Sequence, residues 1–202
     1  MDQHASQGTY KFADEQNRLG RVRALTVFSL LRPPWAWPPG GVYLQRLIFA
    51  LGRTRTPDEV RRLSFIHFAR LAIIRRFPDH GQEREEIVEP LLLFESNYDG
   101  TFDQYIDTFS EAIPQKMWAF WRTSYGFPGV KPVTPFKRYI RANEFTVEHY
   151  YSAYPEATTT TIGSALRLAA SHAAFRKRAR DMSDERFAAA YRSFLAHMQG
   201  DL

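Results

Sequence analysis

The run Leu91-Leu92-Leu93-Phe94-Glu95-Ser96-Asn97-Tyr98-Asp99-Gly100-Thr101 decides how this chain is read. Apolar residues of a buried strand give way to polar ones, Asp-Gly marks a sharp turn, and Thr101 can cap a helix. Thr101 with Gln104 three residues on fits a capping box, and Asp103 falls in the first turn, where the helix dipole favours an acid. Phe102, Tyr105, Ile106, Phe109 and Ile113 recur at helical spacing. Pro114 should kink or restart that helix, which continues through Met117, Trp118, Phe120 and Trp121 to about Ser124; Gly126-Phe127-Pro128-Gly129 ends it.

Toward the N-terminus, Ala24 to Leu31 predicts a first strand. Arg32-Pro33-Pro34-Trp35-Ala36-Trp37-Pro38-Pro39-Gly40-Gly41 forbids regular structure, and its two tryptophans can pack back or anchor a partner. Val42 to Leu51 predicts a helix with Tyr43, Leu44, Leu47, Ile48 and Leu51 on its apolar side, followed by a polar connection. Leu63 to Ile74 predicts a second strand. Strict alternation puts His67, Ala69, Leu71 and Ile73 on one face, against Phe68, Arg70, Ala72 and Ile74 on the other. The charged segment Arg75 to Pro90 then reads as an exposed loop joining two antiparallel strands.

Toward the C-terminus, Pro135 to Phe145 predicts a short helix, and Thr146 to Tyr154 alternates like a fourth strand closed by Pro155. Thr158 to Arg180 is helical, and Ser183 can cap a last helix carrying Phe187, Tyr191, Phe194 and Leu195. The resulting order is that of a ferredoxin-like α+β fold: a four-stranded antiparallel sheet with helices on one face, plus extra C-terminal helices. The expected organisation is a flexible segment over 1–22, the α+β domain over 23–180, and a C-terminal helix over 181–202 packed on that domain. The other sheet face needs a cover, from a second copy, a ligand or the extra helices.

The 202 residues suffice for one domain with a real core, and 44% hydrophobic with 24% charged content is ordinary for a globular chain. Aromatics reach 15%, a surplus that suits a core, an interface or a flat-ligand pocket. The net charge of +5 permits anionic partners without specifying them. With no cysteine there are no disulfides, thiolate metal sites or cysteine nucleophiles. That composition, with no bilayer-length apolar run and no apolar leader core, predicts a soluble cytoplasmic protein without a transmembrane segment.

Several short motifs resemble a domain of proteins related to dye-decolorizing peroxidases: Ile66-His67-Phe68-Ala69-Arg70, Ser96-Asn97-Tyr98-Asp99-Gly100 and Tyr105-Ile106-Asp107. Gly126-Phe127-Pro128, Phe136-Lys137-Arg138-Tyr139-Ile140-Arg141 and Tyr151-Ser152-Ala153-Tyr154-Pro155 continue the likeness, over roughly Leu25 to Leu168. The resemblance implies a ferredoxin-like fold of the dimeric α+β barrel type. It also implies a flat hydrophobic ligand such as haem, with peroxidase-related oxidative chemistry. Of the Gly-x-x-Asp-Gly motif expected in such enzymes only Asp99-Gly100 matches, since Glu95 or Ser96 stands at the first glycine. The chain has length for one ferredoxin-like unit, where such enzymes carry two.

His67 and His149 are the candidate haem ligands, because imidazole is a common axial donor. Arg70, Glu95, Asn97 and Asp99 are the candidate catalytic residues. Glu95 and Asn97 share a strand face at a possible pocket mouth, while Asn97 and Asp99 also suit plain turn chemistry. His67 and Arg70 point to opposite faces unless a bulge intervenes. Arg176-Lys177-Arg178-Ala179-Arg180 reads as a solvated, dipole-favoured helix end, so no specific nucleic-acid partner is expected. No phosphate loop, zinc-ligand spacing or nucleophile elbow occurs. The rival expectation is a non-catalytic assembly protein, using its open sheet face and the Trp35/Trp37 loop, with a homodimer formed through that face.

Overall fold

The computed structural model describes residues 16–33, 41–52, 63–83 and 87–201. They form β1 (Arg18–Leu19), β2 (Val22–Leu30), α1 (Gly41–Gly52), β3 (Ile66–Ile74), β4 (Leu91–Asp99), α2 (Phe102–Ala112), α3 (Pro114–Trp121), α4 (Val133–Ala142), β5 (Glu144–Phe145), α5 (Thr159–Ala179) and α6 (Asp184–Met198). The chain is α+β and divides into two compact units, one running to Glu156 and one starting at Ala157. The Pro/Trp stretch over 34–40, with Trp35 and Trp37, lies outside the described residues.

The sheet of the first unit is antiparallel, in the order β1-β2-β4-β3, with β5 also pairing β2. Strand β4 is central, as its sequence demands. Its even-numbered residues Leu92, Phe94, Ser96 and Tyr98 are buried, and the odd-numbered ones are only partly so. Leu25 and Val27 of β2 share that buried face and pack with Phe102, Tyr105, Ile106 and Phe109 of α2, Trp121 of α3, and Phe136 and Ile140 of α4. Each such side chain contributes about 2 kcal/mol on burial. The indole Nε1 of Trp121 donates to Ser29 Oγ at 3.2 Å, so the largest core side chain is also satisfied.

The junction after β4 forms as the sequence predicts. Thr101 caps α2, with Gln104 N donating to Thr101 Oγ1 and Thr101 N donating to Gln104 Oε1, both at 3.2 Å. Gly100 takes φ +91°, which a side chain would strain. Pro114 restarts the helix as α3, since it can open a helix but not continue one.

Three expectations are corrected. The apolar side of α1 is not the one its periodicity predicts, for Tyr43, Leu47 and Leu51 are exposed while Val42 and Gln45 are buried. Inside, Gln45 Oε1 accepts from Thr123 Oγ1 at 2.8 Å, while its Nε2 has no partner among the described residues. The chain joins the fold before residue 22: Asn17 is buried, Ala24 N donates to Asn17 O, and Gly20 at φ +61° turns β1 into β2. The predicted fourth strand over 146–154 does not form; the strand that pairs with β2 there, β5, lies before it at Glu144–Phe145, at the end of the segment expected to be helical. Along β2, β1 holds the edge opposite Arg23 and Val22, and Asn17 Oδ1 accepts from Val147 N at 2.9 Å, diverting the chain after β5 into coil.

The second unit is a helical hairpin. Thr158 caps α5 by accepting from Thr161 N. Phe175 is buried against Phe187, Tyr191 and Phe194 of α6, and Arg167 pairs with Asp201. Ser183 precedes α6 as predicted but makes no side-chain cap bond.

Candidate functional site

The site grows from an irregularity in β3. Ile66 pairs with Tyr98, but Phe68 pairs with Asn97, so one extra residue, His67, is accommodated between two successive rungs. That is a β-bulge, and it reverses the alternation beyond it. Ile66, Leu71 and Ile73 therefore all pack on the core, although 66 and 71 differ in parity. Phe68, Arg70, Ala72 and Ile74 stand opposite Asn97, Glu95, Leu93 and Leu91, on the face opposite the core formed with α2–α4. His67 reaches that same face, since its Nε2 lies 2.8 Å from Asp99 Oδ1. The separation of His67 from Arg70 expected from strict alternation is thus overturned.

The bulge is supported from the core side. Ser96 is buried, and its Oγ donates to the main-chain carbonyl of Phe68 at 3.0 Å, satisfying an acceptor at the irregular rung. Asp99 N donates to Phe65 O at 2.8 Å and closes the pairing on the other side of His67.

Two acid–base pairs result. His67 and Asp99 have side chains 18% and 12% exposed, so their contact is shielded from bulk water. Because a carboxylate only accepts, the imidazole donates from Nε2, and a neutral ring then presents Nδ1 as an acceptor. One face along, Arg70 pairs with Glu95; that hydrogen bond, then the carboxylate charge, raises the Arg70 pKa. Arg70 is well exposed, so the pair orients the two side chains more than it stabilises the fold.

Tyr150, whose hydroxyl feels the Asp99 charge, was not visible as a site residue in the sequence, where it falls in the apparent fourth strand. Its hydroxyl is buried without a hydrogen-bond partner among the described residues. Burial first, and the Asp99 charge second, push its pKa up, so it stays a protonated donor at neutral pH. Asn97 lies between Glu95 and Asp99 on the same face of β4. His149 is exposed on the coil beside Tyr150. The predicted residues His67, Arg70, Glu95, Asn97 and Asp99 therefore gather at one end of the outer face.

That face has two characters. Val22 and Ala24 are buried, whereas Leu30, Phe68 and Phe145 are about half exposed. Phe28 and Phe145 meet edge-to-face at 4.8 Å between centroids. No helix among the described residues is long and apolar enough to cross a membrane, and no group of three or more metal-type ligands occurs among them. No known protein family, curated protein or solved structure matches the chain.

Proposed function

We propose that this chain is a ligand-binding protein of the ferredoxin-like, dimeric α+β barrel type, taking a flat hydrophobic ligand against its outer sheet face. One observation carries the reading: the bulge at His67 sets an imidazole–carboxylate pair and a guanidinium–carboxylate pair on a face otherwise lined by Phe28, Leu93, Ala72 and Phe68. An apolar surface with a few convergent polar groups is what small-molecule sites share. The pairing of β5 with the outer edge of β2 supports the ferredoxin-like arrangement.

Haem, with peroxidase-related oxidation, is the sharpest form of this proposal. His67 would hold the iron, and its donor chemistry fits, since Asp99 holds Nε2 and so orients the ring with Nδ1 left as the ligating atom. His149 is the second imidazole within the same unit. Bound haem would supply peroxide activation, while Arg70 and Asn97 would orient polar groups beside it. Haem titration followed at the Soret band tests this form; no shift, or a shift untouched by His67→Ala and His149→Ala, contradicts it.

A second reading has its own support. Leu30, Phe68 and Phe145 are each about half exposed on the outer face, and a two-fold copy of the same face would cover them. Light scattering across a concentration series tests homodimerisation. A wild-type dimer that becomes monomeric on Phe145→Glu supports it, and a monomer at all concentrations removes it.

A further inference from the structure

We propose that β3 is a pairing edge, to which a second copy of this chain adds its own β3, antiparallel and about a two-fold axis centred on Leu71. The two sheets then continue into one, and the outer face stays free.

The edge is open on every side. β3 closes the order β1-β2-β4-β3, and among the described residues it pairs with β4 alone. Its far side therefore presents the outward N–H and C=O groups of a nine-residue strand, a template for another strand. None of those nine residues is buried, whereas β4 buries four of its nine. Phe68, Ala69 and Arg70 are exposed in succession, so both faces are uncovered here, including the core side that Ala69 shares with Ser96. Leu71 and Ile73 pack on the core yet stay partly exposed, and a neighbouring strand would complete their burial.

The usual guards of an edge are weak in β3. It has no proline and no lysine, and its bulge lies at one end, leaving 68–74 in regular register with β4. The one charge in that stretch, Arg70, is engaged by Glu95 of its own sheet.

The sequence of the edge matches itself. Centred on Leu71, antiparallel pairing sets Phe68 opposite Ile74 of the second copy, Ala69 opposite Ile73, and Arg70 opposite Ala72. Small residues meet large ones, and an aromatic ring meets a β-branched side chain, which are favourable cross-strand pairs. The two arginines meet only on the diagonal, each with its own Glu95 to offset its charge. Neighbouring registers are worse. Centring on Arg70 puts two guanidiniums directly opposite, and centring on Ala69 draws the bulged His67 into the ladder. Centring on Ala72 pairs only 70–74 and runs Ala69 against Arg75, beyond the end of the strand. Any extended segment could use the main-chain groups, but the side chains select this one.

Sedimentation equilibrium of the full chain over a concentration series tests the pairing. The expected result is a reversible dimer that Ala72→Lys weakens and Ala72→Glu tightens, because residue 72 lies opposite Arg70 of the other copy. Residue 72 is exposed, so neither change disturbs the core. Each cross-strand pair occurs twice by symmetry, so each shift should be about two- to thirtyfold in dissociation constant. The same two changes at Ala112, exposed on α2, should leave the constant unchanged and so separate a local pair from net charge. Phe145→Glu should leave the dimer intact, and amide exchange over 68–74 should slow as the dimer forms. A dimer that both changes at Ala72 weaken alike, or that Phe145→Glu abolishes, assigns the contact to the outer face and overturns the edge pairing. A dimer indifferent to Ala72, or one that leaves exchange over 68–74 unchanged, also overturns it. A monomer at every concentration removes both modes of dimerisation and leaves the ligand-binding reading standing.

Discussion

Replacing Ser96 by alanine tests whether the bulge is held by the core. The hydroxyl donates to Phe68 O at 3.0 Å from a side chain 1% exposed, so nothing else can readily take its place. Losing that bond and leaving the acceptor unsatisfied costs about 1–2 kcal/mol. Ser110→Ala is the matched control: it also removes a buried hydroxyl, but one with no partner among the described residues. It should be neutral or stabilising by up to about 0.5 kcal/mol, because alanine is the better helix former. At roughly 3 °C per kcal/mol for a chain of this size, Ser96→Ala should melt about 3–6 °C below wild type. Ser110→Ala should melt at or slightly above it. Urea unfolding gives the free energies, and unchanged m-values verify that the same transition is compared. Equal effects of the two substitutions would refute the idea that Ser96 holds the bulged rung.

Other junctions make equally definite predictions. Thr101→Ala removes the cap of α2 and should cost about 1 kcal/mol by urea unfolding, with Thr101→Ser nearly neutral. Gly20→Ala would place a methyl 2.5 Å from Pro155 O at a positive φ, so it should destabilise by roughly 2 kcal/mol or more and speed hydrogen exchange at Arg21, whose N–H donates to that carbonyl. Phe175→Ala strips the C-terminal hairpin of the ring that meets Phe187, Tyr191 and Phe194. A loss of about 3–5 kcal/mol is expected, seen as faster exchange of amides in α5 and α6. Protection unchanged there would show that the aromatic cluster does not hold the hairpin.

The elements that could be read from sequence are those whose signals are local. The capping box at Thr101, the break at Pro114 and the alternation of β4 each depend on neighbours within a few residues, and each forms as predicted. What was not legible depends on distant partners. Gln45 is buried because Thr123 meets it across 78 residues of chain, a pairing that periodicity cannot see. The strand expected over 146–154 does not form, and there the amide of Val147 goes to the side chain of Asn17, 130 residues earlier, instead of to a strand partner. The bulge matters most: the residues of the candidate site could be named, but their side could not. One inserted residue in β3 turned His67 from a face opposite Arg70 to the same face, and so made one site of two separate hints. Tyr150 went unseen because its place beside Asp99 belongs to coil that alternates like a strand without being one.

The most direct test of the His67–Asp99 arrangement is a long-range proton–nitrogen correlation spectrum of the histidine side chains, recorded well above the ordinary imidazole titration range. The account predicts that His67 is held as the tautomer protonated at Nε2, and that Asp99→Asn shifts its ring nitrogens while leaving those of the exposed His149 in place. A His67 ring that averages between tautomers and ignores Asp99→Asn would contradict the pairing on which the ligand site depends.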